Sequence, residues 1–117
     1  MGAGRATDLK RGDIVLVRSS TGPATKPRPC LVVQRSSTID AAPKVTVCPL
    51  SSEIRVGTAI RPLINPSSMN GLRRVSQVEL DWIYTFWKSD FGDVLGTLDQ
   101  SEMKHIDAAL KPWLDLQ

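Results

Sequence analysis

The amino-acid sequence predicts an α+β chain: a small, mainly antiparallel β-barrel followed by a C-terminal α-helix. Three observations carry this. Short apolar runs rich in Val and Ile recur through the first two thirds of the chain, as strands do. Eight Pro and eight Gly are spread between them, the punctuation of short elements joined by turns. Only the stretch after Leu98 has a helical period. Many strands and then one terminal helix indicate α+β with a barrel-like sheet.

The elements follow in order. Lys10-Arg11-Gly12-Asp13 reads as a turn, and Ile14-Val15-Leu16-Val17 as a strand buried on both faces. Residues 19–27, rich in Ser, Thr, Gly and Pro, read as a loop. Cys30-Leu31-Val32-Val33 is a second core strand and residues 35–43 another loop. Val45-Thr46-Val47-Cys48-Pro49-Leu50 is a third strand. Pro49 cannot donate to a ladder, so that end belongs at an edge or bulge. A fourth strand is expected over 58–64, a turn-rich loop over 65–71, and strands over 74–80 and 82–87. Asp99-Gln100-Ser101-Glu102 fits a capping box. Beyond it Met103, Ile106, Leu110, Trp113 and Leu114 fall on one helical face. Pro112 removes a backbone donor, so the helix should kink or fray near its end.

The length of 117 residues and a hydrophobic fraction of 41% suit one core. Residues 1–9 read as a flexible leader and residues 10–117 as a single domain. No apolar run approaches the roughly 20 residues of a membrane span, and the N-terminus lacks the apolar stretch of a signal peptide. A cytoplasmic protein without a membrane partner is expected. The two cysteines, Cys30 and Cys48, lie inside apolar runs and read as buried and reduced. With one histidine, His105, and no C-x-x-C, neither a metal site nor a cofactor is expected. The net charge of +3 hides an asymmetry: residues 1–75 carry twelve Lys/Arg and four Asp/Glu, and residues 76–117 carry three and eight. A basic N-terminal part fits a polyanion-binding face. The alternative is ordinary solubility charge, which composition alone slightly favours.

Five segments, in order, resemble the MazF/PemK/Kid family of toxin endoribonucleases. Arg11-Gly12-Asp13-Ile14-Val15 opens strand one, and Arg28-Pro29-Cys30-Leu31-Val32-Val33 enters strand two. Val45-Thr46-Val47-Cys48-Pro49-Leu50-Ser51-Ser52 is similar to the family's third strand. Residues 76–83 and Gly96-Thr97-Leu98 before the helix match less closely. The resemblance implies an SH3-like barrel of the CcdB/MazF type, usually a homodimer. It implies metal-independent cleavage of single-stranded RNA, such as mRNA. It also implies a cognate antitoxin whose disordered tail covers the RNA groove. Alternatives are a non-enzymatic poison of DNA gyrase, as CcdB-type proteins are, and an inactive RNA-binding relative. The tail Lys111-Pro112-Trp113-Leu114-Asp115-Leu116-Gln117 does not resemble the CcdB ending.

Attack of the RNA 2′-OH on the adjacent phosphorus gives a 2′,3′-cyclic phosphate and a 5′-OH. It needs a proton acceptor, charge stabilisation at phosphorus and a proton for the leaving oxygen. Arg28 matches the family's catalytic Arg; a guanidinium donates two parallel hydrogen bonds to phosphate, which Lys cannot copy. Ser51 matches the Thr or Ser ending strand three, a candidate for bonding the scissile phosphate. Alternatively it is a strand-end Ser bonding local backbone. Ser52 is a candidate for a neighbouring phosphate. Asp81 matches an acidic position that some members use as a base, although the family's following Gln is Trp82 here and a helpful Arg two residues earlier is Glu79. Lys26, Arg18 and Ser19 are candidate RNA contacts around a loop that departs from its relatives at Gly22-Pro23-Ala24. His105 reads as a solvated helix residue and Arg73-Arg74 as a solvated turn. Trp82, Tyr84, Phe86 and Trp87 read as core or dimer surface rather than a base-stacking platform.

Overall fold

The computed structural model describes residues 8–18, 26–56 and 60–117. They form β1 (Asp13–Val17), β2 (Arg28–Val32), β3 (Lys44–Ser51), β4 (Leu63–Ile64), β5 (Ser76–Val78), β6 (Tyr84–Trp87), β7 (Phe91–Thr97) and α1 (Gln100–Leu114). The seven strands make one curled antiparallel sheet in the order β4-β5-β3-β2-β1-β7, with β6 also paired to β3.

Strands β1 and β2 are buried on both faces, as their unbroken apolar runs require. Ile14 and Leu31 face α1, in a core with Cys48, Leu50, Val78, Ile106 and Leu110. Val15, Val17, Cys30 and Val32 face the opposite side, in a core with Val45, Val47, Ile39 and Phe91. Leu9 belongs to this second core and is 6% exposed. That corrects the expected leader of residues 1–9 at its last residue, because the side chain is worth more buried than solvated. Residues 1–7 lie outside the described residues.

The Arg11-Gly12-Asp13 motif is a joint. Gly12 takes φ 99°, a left-handed conformation that Gly adopts without steric cost. The Asp13 carboxylate accepts from the Lys10 N–H at 3.0 Å. Arg11 Nε donates to the Val33 carbonyl at 2.9 Å, and its Nη2 to Asp107 of α1 at 2.7 Å. The motif therefore ties the start of β1 to β2 and to the helix.

The eight residues of β3 serve three neighbours. Val47 pairs with Tyr84 of β6 and Leu50 with Val78 of β5, while β2 runs along the other edge. Pro49 stands at the handover from β6 to β5, where its missing N–H is least costly. Its carbonyl accepts from Glu79 N–H at 2.8 Å.

Two expectations change. Strand four is only Leu63–Ile64. Ile60 sits at φ 73°, a conformation unusual for a β-branched residue and incompatible with extension; residues 57–59 lie outside the described residues. Strand β7 was not expected at all. Its sequence FGDVLGT carries two glycines and an aspartate, which hide the period of a strand. Gly96 is there because a Cβ would collide with the Met69 carbonyl.

Helix α1 begins with the full capping box between Asp99 and Glu102 and ends two residues past Pro112, with Asp115 left-handed at φ 57°. Ile106 and Leu110 are buried, while Trp113 and Leu114 are 47% and 45% exposed. Ile106→Ala is expected to cost about 2–5 kcal/mol and Asp99→Ala about 1 kcal/mol, read as ΔΔG in urea unfolding. Equal losses would contradict this division between core and cap.

Candidate active site

Strand β2 opposes β3 with Cys30 across from Pro49 and Leu31 across from Cys48. Arg28 and Ser51 each lie two residues beyond the Cys30–Pro49 pair, at the same end of the two strands. Both line a cleft of about 510 Å³ together with Pro29, Leu50, Ser52 and Glu53, and with Gly71, Leu72, Arg73, Arg74, Ser76 and Leu95. The cleft thus joins the strand ends to residues 71–76, which precede β5 and begin it.

Ser51 Oγ accepts from the Glu53 N–H at 3.1 Å. This is the local bond a strand-end serine makes. It uses a lone pair and leaves the hydroxyl proton free to donate. The turn after Ser51 is held from below: Gln77, 3% exposed, donates its Nε2 to the Arg55 carbonyl at 2.8 Å. Three arginines line the cleft, Arg28, Arg73 and Arg74, against one acidic residue, Glu53. The Glu53–Arg55 pair is 3.6 Å long with side chains 76% and 68% exposed, a geometry that solvent screens heavily. The Glu53 carboxylate is therefore only weakly engaged.

Asp81 is placed differently from expectation. It does not line the cleft. Both its carboxylate oxygens accept from Arg61, at 2.9 Å each, and Arg61 also donates to Glu79 at 3.1 Å. The Arg61 hydrogen bonds hold the Asp81 carboxyl below the usual carboxylate range, against an opposing effect of burial. A carboxylate so engaged is a poor proton acceptor. Glu79 and Asp81 do face a common point, and the cation between them decides the outcome. Arg61 lies twenty residues before Asp81 in sequence and no period or motif links them.

The remaining candidates separate. Arg18 lines another depression with Pro27 and Phe91, and its N–H donates to the Asp90 carbonyl at 2.9 Å. Lys26 is exposed two residues before Arg28 and does not line the cleft. Ser19 lies outside the described residues. Burial pushes the thiols of Cys30 and Cys48 up to about 12, so neither is a nucleophile near neutral pH. Trp82 and Tyr84 stack at 6.1 Å and are 50% and 40% exposed, while Phe86 reaches the core. His105 is exposed on α1. Among the described residues no three His, Cys, Asp or Glu side chains cluster as metal ligands. No described helix is long and apolar enough to cross a membrane. Glu53, Arg61, Arg73 and Arg74 are what sequence reasoning missed or read as solvent-facing; only the charge asymmetry hinted at the arginines.

Comparison with known proteins gives a consistent result. A family described as the PemK-like, MazF-like toxin of type II toxin–antitoxin systems matches residues 10–114. A relative from Mycolicibacterium smegmatis, named a probable endoribonuclease MazF, is 31% identical over 108 residues, covering 92% of this chain and 98% of its own. Among solved structures, the Mycobacterium tuberculosis toxin MazF-mt6 is similar with a TM-score of 0.73 at 26% identity, covering 89% of this chain and 98% of that one. An endoribonuclease from a mycobacterial species, in complex with its cognate antitoxin, is similar at 0.77 and 25% identity, covering 93% and 97%.

The Arg61–Asp81 pair generates a pH prediction. The folded Asp81 pKa is depressed, so its contribution to stability is complete above the unfolded value of about 3.9 and is lost as pH falls through the folded value. Arg61→Met should cost about 1.5–3 kcal/mol at pH 7 and show a smaller further loss than wild type on acidification. Parallel stability–pH curves from urea unfolding would contradict the pairing.

Proposed function

This chain belongs to the family of PemK-like, MazF-like toxins of type II toxin–antitoxin systems, and on that premise we propose how it acts. As an endoribonuclease it cuts single-stranded RNA by attack of the RNA's own 2′-OH, leaving 2′,3′-cyclic phosphate and 5′-OH ends. The observation that carries this reading is the convergence of Arg28 and Ser51 in one cleft, with more guanidinium groups than carboxylates around them.

In this mechanism Arg28 takes two phosphate oxygens in a forked pair of hydrogen bonds, which strengthen as negative charge builds at phosphorus. Ser51 donates its free hydroxyl proton to the same phosphate, its oxygen steered by the Glu53 N–H. Ser52, exposed beside it, takes a neighbouring phosphate. Glu53 replaces Asp81 as the proton acceptor, because it is the carboxylate that lines the cleft. The leaving 5′ oxygen takes its proton from water in the open cleft. No step draws on a metal ion. Lys26, beside Arg28 in sequence, adds long-range attraction for the strand.

Partners follow from the relatives. A mycobacterial endoribonuclease is solved with its cognate antitoxin, and MazF from Deinococcus radiodurans with MazE. This chain is proposed to bind an antitoxin that covers the cleft, and to form a homodimer. The exposed apolar side chains of Trp82, Tyr84, Trp87, Trp113 and Leu116 supply surface suited to such contacts. The cytoplasm, where mRNA is translated, is the compartment this activity requires.

Purified protein should cut long single-stranded RNA in EDTA. Arg28→Ala is expected to lower kcat/KM by about 10²–10³, and Arg28→Lys should not restore it; full activity in Arg28→Ala sinks the mechanism. Glu53→Gln is expected to lower kcat by about 10²–10⁴, whereas Asp81→Asn should lose stability first. The reverse pattern returns the base to Asp81.

A further inference from the structure

Residues 65–76 form a braced loop. The Asn70 side chain is fully buried. Its Oδ1 accepts from the N–H groups of Ser67 at 3.0 Å and Leu72 at 2.9 Å, and its Nδ2 donates to the Asn65 carbonyl at 2.9 Å. A buried amide with its groups paired in this way rigidifies what it holds. Gly71 follows at φ 71°, where a Cβ would collide with the Leu95 carbonyl of β7. The Thr97 N–H donates to the Met69 carbonyl at 2.9 Å, and Ser76 Oγ donates to the Arg74 carbonyl at 3.0 Å. The loop is thus fixed to β7 on one side and to β5 on the other.

This brace presents Arg73 and Arg74. Both are exposed, and both line the cleft that holds Arg28 and Ser51. Among the described residues neither forms an ion pair, in contrast to Arg11, Arg55 and Arg61, which do. Three arginines lining one cleft concentrate positive charge there, which favours an anionic ligand. We propose that Arg73 and Arg74 form a second phosphate subsite. They take backbone phosphates flanking the scissile one, so the cleft engages several consecutive phosphates of a single RNA strand. The inference rests on the ribonuclease reading and adds an anion site to it.

The test uses a fully 2′-O-methylated RNA oligonucleotide, which binds but lacks the attacking hydroxyl. Its Kd is measured by fluorescence anisotropy from low to high salt. Wild type is compared with Arg73→Ala/Arg74→Ala and with Arg35→Ala/Lys104→Ala, which removes as much charge from exposed positions outside the cleft. The arginine pair is expected to weaken binding at least about tenfold at low salt. It should also lower the slope of log K against log salt by about 1.4, given about 0.7 per phosphate contact on a single strand. The control should keep the wild-type slope. Arg73→Lys/Arg74→Lys should keep it too, because it retains the charge. An unchanged slope in the alanine pair, or an equal fall in the control, overturns the subsite. Failure of the ribonuclease reading itself shows separately, as absence of cleavage of unmodified RNA by wild-type protein.

Discussion

The pairing of β2 with β3, Cys30 across from Pro49, is the constraint on which the site depends. Both strands bury both faces, with Leu31 and Cys48 in one core and Cys30 and Val47 in the other. A slip of one residue would exchange the two sets and send each side chain into the wrong core. The register is therefore held by packing far from the cleft, and Arg28 and Ser51 line one cleft as a consequence. Pro49 contributes by standing where β3 changes partner, so that β5 and β6 both reach the same strand. Residues 71–76 then close the far side of the cleft through their contacts with β7.

The parts legible in the sequence share a local cause. The unbroken run Ile14-Val15-Leu16-Val17 announces a strand buried twice over, and Asp99 with Glu102 announces a helix start, because each signal lies within a few residues. Arg28 and Ser51 were legible only through the motifs around them; nothing in their spacing shows that they meet. Strand β7 lacks a strand's sequence signal because Gly92 and Gly96 lower its strand propensity, Gly96 being there for close backbone approach to residues 69–70. Arg73 and Arg74 reach the site through tertiary contacts between segments some twenty residues apart, which no window of periodicity covers, whereas Glu53 sits two residues from Ser51 without a local pattern that marks it.

Charge illustrates the same division. The excess of Lys and Arg before residue 76 has two structural fates. Arg11 and Arg61 are consumed as ties, to Asp107 and to Asp81 with Glu79. Arg28, Arg73 and Arg74 line the cleft. The acidic C-terminal part supplies the partners for the first group, so the asymmetry of the sequence is partly internal wiring and partly a concentration of arginines at one cleft. Asp81 is held the same way: both its carboxylate oxygens accept from Arg61, a guanidinium that no local signal in the sequence pairs with it.

A single atom of the substrate decides whether the RNA attacks itself. In EDTA, the protein should cleave an oligoribonucleotide to a 2′,3′-cyclic phosphate and a 5′-OH. The same oligonucleotide with one 2′-deoxy nucleotide at the scissile position should bind and stay intact, since the protein supplies charge and proton transfer and the 2′ oxygen supplies the bond. Cleavage of the 2′-deoxy substrate at that position, or products ending in 5′-phosphate, would contradict the mechanism and point to attack by water or by a side chain.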